Sequence, residues 1–166
     1  MPAHPTQVVV LTPGANRRTP GLSTGFREAA GRRTLWGMAS IEDVRRLALA
    51  LPETEERAGR HGLPEWRVRG RLFAWERPLG RADLVALGPS APAGVVLGVS
   101  VADLGVKEAL LAGEPGALFT TPHFDGYAAV LVHLDEVEPD LLAELVSDAW
   151  LARAPKRLAA AHLADG

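Results

Sequence analysis

The chain has 166 residues, a formal net charge of −2, 47% hydrophobic residues and 23% charged residues, which describes about one globular domain and not a disordered chain. It contains no Cys, which excludes disulfides, thiolate metal ligands and a Cys nucleophile, and it fits a reducing compartment. No apolar run approaches the ~20 residues of a membrane span. Residues 1 to 16 hold no Lys or Arg, and Val8 to Leu11 is too short for the apolar stretch of a signal peptide. A cytoplasmic protein with no membrane contact is therefore expected.

The first 37 residues are rich in Gly and Pro, show no sustained periodicity, and carry five Arg against one Glu, a net +4. They read as a flexible basic leader. Met38-Ala39-Ser40 looks like a natural start, so residues 1–37 are expected to be either a leader or a mis-assigned start, and residues 38–166 the domain. That domain holds 13 Lys and Arg against 19 Asp and Glu, a net −6.

Within it, Ser40 is placed to cap a helix, with Asp43 three residues on. Ile41, Val44, Leu47, Ala48 and Leu51 follow at helical spacing, and Pro52 ends the run. Residues 53–64, charged and containing Gly and Pro, read as a loop. Trp66 to Arg69 and Arg71 to Glu76 read as two strands around a turn at Gly70, an antiparallel hairpin. Asp83 to Gly88 reads as one helical turn, and Pro89 to Gly94 as a loop. Gly94 to Val101, holding Val95, Val96, Leu97 and Val99, reads as a buried strand. Asp103 caps a helix that ends at Gly113. Leu118 to Thr120 is a short strand, and Tyr127 to Leu134 a longer one after the Asp125-Gly126 turn. Pro139 opens the last long helix, with Leu142, Leu145, Val146, Ala149 and Trp150 as its apolar stripe. Pro155 breaks it, and Lys156 to Leu163 continues as a helical tail. The order is helix, strands, helix, strand, helix. No strand–helix–strand rhythm repeats, so the expected class is α+β: an antiparallel sheet packed by helices on one face.

Three stretches carry a family resemblance. Leu63-Pro64-Glu65-Trp66-Arg67-Val68-Arg69-Gly70-Arg71-Leu72-Phe73-Ala74-Trp75 is similar to the hairpin of the MmcQ/YjbR family. Glu114 to Tyr127 resembles that family's segment before its last core strand, and Ser147-Asp148-Ala149-Trp150 with Ala154-Pro155-Lys156-Arg157 resembles its closing helix. Val44 to Thr54 matches its first helix and "LP" exit. The resemblance spans residues 40 to 158. It implies a CyaY-like α+β fold and a label of DNA binding through β-hairpin wings. It implies no catalytic residue and no cofactor.

The residues themselves show a charge asymmetry. From Arg57 to Arg81 there are seven Arg against two Glu, a net +5; from Ala82 to Trp150, one Lys faces eleven acids, a net −10. Arg67 and Arg69, two apart, are expected to share a strand face opposite Trp66 and Val68. With Arg71 they form the first candidate contact to phosphate, and Trp75, Arg77, Lys156 and Arg157 join as lesser candidates, Trp75 by stacking on a base. The plainer reading has these Arg residues solvating a half-buried sheet, and the acidic balance opposes a polyanion. Double-stranded DNA and another protein chain are thus the two partners considered, the second meeting the basic hairpin or the acidic half. The protein is expected to be a monomer.

Two His-x-Asp pairs, His123/Asp125 and His133/Asp135, are weak candidates for a metal site or an acid–base pair. An enzyme around His123, Asp125, Tyr127 and His133 requires that they converge. Trp66, Phe73, Trp75, Phe119, Phe124, Tyr127 and Trp150 are expected in the core. No metal and no cofactor is expected.

Overall fold

Helix α1 spans Ile41–Leu49, and its start is chemically determined. The Ser40 hydroxyl accepts from the Asp43 N–H at 3.3 Å, while the Asp43 carboxylate accepts from the Ser40 N–H at 3.0 Å and hydroxyl at 2.7 Å. The Ser40 hydrogen bond, with Arg46 beside it, holds the Asp43 carboxyl below the usual carboxylate range. The computed structural model that shows this describes residues 38–165; the basic leader expected over 1–37 lies outside the described residues.

After Pro52 the chain turns at Glu53, whose φ is +53°. The segment expected as a loop, 53–64, then forms strand β1 at Thr54–Ala58 and a short 3-10 turn at Arg60–Gly62. The reason for the difference lies in the residues that point inward. The inner face of Thr-Glu-Glu-Arg-Ala is Thr54, Glu56 and Ala58, with no large apolar residue, and Glu56 stands at its centre. Its carboxylate takes Arg45 Nε at 2.7 Å, Arg45 NH2 at 3.1 Å and Trp66 Nε1 at 2.9 Å. A half-buried acid held this way gives no period-two hydrophobic signal.

The remaining elements are β2 (Pro64–Val68), β3 (Arg71–Glu76), α2 (Arg81–Leu87), β4 (Val96–Ser100), α3 (Leu104–Gly113), β5 (Leu118–Phe119), β6 (Ala129–His133), α4 (Pro139–Arg153) and α5 (Lys156–Asp165). All pairings are antiparallel, and the sheet order is β1-β2-β3-β4-β6-β5. The α+β class is as expected. The expected order is only rough: β1 before the hairpin is not expected, while α2 and β5 lie where a helical turn and a short strand are read.

The two faces of the sheet carry different loads. Trp66, Val68, Phe73, Leu97, Val99, Val130 and Val132 point to one face, where α1 and α4 cover them through Val44, Ala48, Leu142, Val146 and Trp150. Trp150 also donates its Nε1–H to the Pro52 carbonyl at 3.1 Å, tying α4 to the end of α1. The opposite face holds a smaller cluster: Val96, Phe124, Ala129 and Leu131, with Trp75, Leu79 and Phe119 against it. Trp75 lies across Gly98, its register partner on β4. Tyr127, expected in the core, is 62% exposed, because β6 begins only at Ala129 and leaves Tyr127 in the turn before it.

Two outcomes follow from this packing. A Cβ at Gly98 would run into the Trp75 indole, so Gly98→Ala is expected to cost about 1–3 kcal/mol and to shift tryptophan emission, read by chemical denaturation and fluorescence. The Arg45 hydrogen bond lowers the Glu56 carboxyl against the opposing effect of its burial. A lowered acid stabilises the fold above the ordinary glutamate range and loses that contribution as pH falls through its folded-state value. The unfolding free energies of wild type and Glu56→Gln should therefore differ by about 1 kcal/mol at neutral pH and converge in acid, read from denaturation midpoints.

Candidate nucleic-acid interface

The hairpin places its arginines in three different situations. Arg67 does sit on β2 opposite Trp66 and Val68, but its Nε is bound to Glu65 at 2.7 Å and its NH1 to the Gly70 carbonyl at 2.8 Å. Arg69 does not share its face: β2 ends at Val68, and Arg69 lies in the turn with φ +49°. There it pairs with Glu53, NH2 to Oε1 at 2.9 Å. Arg71, the first residue of β3, is exposed and donates to the Arg153 carbonyl at 3.4 Å.

The outer face around Arg67 is a charge ladder, not a basic patch. Glu55 stands opposite Arg67, and Arg57 opposite Glu65. Within each strand Arg57 binds Glu55 at 2.7 Å and Arg67 binds Glu65 at 2.7 Å. The field expected from the hairpin is locally neutralised because β1 brings acids that the count from Arg57 onward left out.

Arg77 is also committed. Its guanidinium holds Asp83 at 2.8 Å and lies 5.5 Å from the Phe124 ring centre. Burial acts to raise the Asp83 carboxyl, but the Gly80 N–H, the Thr121 hydroxyl and Arg77 outweigh it, leaving the carboxyl below its usual range. Trp75 is half-buried in the small aromatic cluster, 6.3 Å from Phe124 between ring centres, so its face is occupied by protein.

Lys156 and Arg157 occupy the first turn of α5, directly after the break at Pro155. The cations therefore stand just past the C-terminal end of α4 and at the N-terminal end of α5, where uncapped N–H groups add positive character. Both are exposed, as is Arg153 at the end of α4. Among the described residues, Arg71, Arg153, Lys156 and Arg157 form no ion pair. The Arg71 bond to the Arg153 carbonyl brings the start of β3 to the α4–α5 joint. Arg153 was missed in sequence; its signal was the Arg-x-x-Lys-Arg run around a helix-breaking Pro.

The His-x-Asp pairs do not converge. His123 and Asp125 precede β6, and His133 and Asp135 lie at its far end, separated by a strand of five residues, roughly 13 Å at ordinary strand rise. His133 and Asp135 approach only to 4.0 Å. His123 is exposed, with its ring near-parallel to that of Tyr127 at a centre distance of 6.2 Å. Among the described residues no group of three His, Asp or Glu is placed to hold a metal ion. Sequence reading also missed Lys107, which is buried and donates Nζ–H to the carbonyls of Phe124 at 2.6 Å and Tyr127 at 3.1 Å, fixing the turn before β6. No helix among the described residues is long and apolar enough to cross a membrane.

Comparison with known proteins agrees with this architecture. The uncharacterized protein Rv2570 of Mycobacterium tuberculosis is 52% identical over 131 residues, covering 77% of this chain and 98% of its own, and the uncharacterized protein Mb2600 of Mycobacterium bovis matches equally. The crystal structure of Deinococcus radiodurans protein DR2400, which carries the DUF419 domain, superposes with a TM-score of 0.52 at 22% identity, covering 69% of this chain and 78% of that one, and shares the fold. The family model for YjbR matches residues 49–152, and the chain belongs to the YjbR family.

Proposed function

We propose that this protein is a non-enzymatic binding protein that contacts the phosphate backbone of double-stranded DNA through the α4–α5 joint. The observation that carries the reading is that Arg71 reaches the Arg153 carbonyl, which Lys156 and Arg157 follow directly in the chain, all four residues being exposed and without a carboxylate partner among the described residues. Arg is suited to phosphate by its planar fork of donors, and Lys as a point charge. Arg67, Arg69 and Arg77 serve the fold: each is bound to an acid of this chain. Contacts of this kind position a duplex without reading its bases.

A second reading has its own support. Asp140, Glu144 and Asp148 recur every fourth residue on α4 and are all exposed, forming an acidic stripe that leads toward the basic joint. Such a stripe fits a basic surface on a partner protein and repels a polyanion.

Fluorescence anisotropy of a labelled duplex tests the first reading. Binding should weaken with salt, with a log–log slope of about −0.9 for each phosphate neutralised, hence about −3.6 if each of the joint's four cations neutralises one. Arg71→Glu/Lys156→Glu/Arg157→Glu should abolish it, while Arg69→Glu should leave most of it. No binding at low salt would reject the DNA reading. The stripe separates the two readings: Asp140→Lys/Glu144→Lys/Asp148→Lys should tighten duplex binding if DNA is the ligand. If the stripe is a docking face, the same change should abolish a complex recovered by pull-down with the wild-type protein.

A further inference from the structure

We infer that β1 is the interface for a second copy of this chain, joining two sheets edge to edge about a two-fold axis at Glu56. Among the described residues no strand pairs with the outer side of β1. The strand is regular: its five residues pair with β2 without a bulge. Its free hydrogen-bonding groups can be identified. The Gly59 N–H donates to the Leu63 carbonyl at 2.7 Å, and in an antiparallel ladder such positions recur at every second residue. Arg57 and Glu55 therefore direct their N–H and C=O groups toward β2. Thr54, Glu56 and Ala58 direct theirs away from it. Pro64, opposite Ala58, has no N–H to give, in agreement with this parity.

An antiparallel pair centred on Glu56 matches these outward groups with themselves. Glu56 meets Glu56 of the second copy, and Thr54 meets Ala58. Glu55 then stands opposite Arg57 of the second copy, and Arg57 opposite Glu55. The charge ladder on the outer face continues without a break. Reading across four strands, the row is Glu65, Arg57, then Glu55 and Arg67 of the second copy, alternating in sign at each step. The symmetric row repeats it. Glu55 and Arg57 are 43% and 56% exposed in their side chains, so they are available for these contacts. The one like-charge pair, the two Glu56 carboxylates, is neutralised within each copy by Arg45. Charged residues on an edge strand usually discourage pairing with strangers; this pattern is complementary to its own copy.

The interface departs from the monomer expected from sequence, and it does not involve the basic joint. Sedimentation of the full chain across micromolar to sub-millimolar concentrations should show a monomer–dimer equilibrium that weakens with salt. Arg57→Glu sets Glu against Glu across the axis and should raise the dissociation constant at least about tenfold. Ala58→Pro removes only an outward N–H and should give a monomer with unchanged circular dichroism and thermal unfolding. The chain has no native Cys, so register can be read directly. Glu55→Cys mixed with Arg57→Cys should cross-link on oxidation, and neither alone should do so. A wild-type monomer at all concentrations overturns the inference. So does a dimer that survives both Arg57→Glu and Ala58→Pro.

Discussion

The Glu56 carboxylate joins three elements that are separate in sequence. It is bound by Arg45 from α1 and Trp66 from β2 while standing on β1. A carboxylate removed from water is costly unless its lone pairs are filled. Here a guanidinium and an indole N–H fill them, and in doing so fix the distance between α1 and the sheet. Trp66 is fully buried, so its N–H needs an acceptor as much as Glu56 needs donors. The strand that carries Glu56 has no apolar anchor of its own, and its place beside β2 depends on this exchange. On the outer face Glu65 neutralises Arg67, the one arginine of β2, and Glu55 of β1 stands opposite it while binding Arg57.

That redistribution gives the molecule its electrical layout. The run from Arg57 to Arg81 is basic as a string of residues, but four of its seven arginines are paired in the folded protein. Among the described residues, Arg60 and Arg81 stand exposed without an ion pair, and four more such cations lie where β3 begins and α4 gives way to α5. Pro155 is responsible for the second half of this arrangement. By ending α4 it leaves the Arg153 carbonyl open to Arg71 and starts a new helix whose first two residues are cationic. The acidic residues of α4 lie on the same helix, so positive and negative regions meet at one end of a single element.

Much of this fold was legible in sequence where apolar spacing carries the signal. The cap at Ser40, the stripe of α4, the hairpin, the strand at Val96–Ser100 and the breaks at Pro52 and Pro155 were all readable. Strand β1 was not, because its central inward residue is an ion-paired Glu and period two is blind to that. Tyr127 was misplaced because the turn fastened by Lys107 ends later than the Asp125-Gly126 pair implies. For the candidate site, Arg71, Lys156 and Arg157 were readable as cations. Their separation from Arg67, Arg69 and Arg77 was not, since it depends on which acids fold back onto which arginines. The two His-x-Asp pairs illustrate the same limit: a motif gives composition, and only the strand between them gives their distance.

The two borders of the sheet are unequal. At one lies β1, five residues long; at the other lies β5, of two residues, followed within three residues by the turn at Pro122–Phe124. A template for fibre growth needs two open ends, one to receive and one to offer. A border of two residues presents too few backbone groups to seat an incoming chain. The molecule therefore has one end at which a sheet can be extended and one at which it stops, and stacking of copies into an unlimited ribbon is blocked by the shortness of β5 alone.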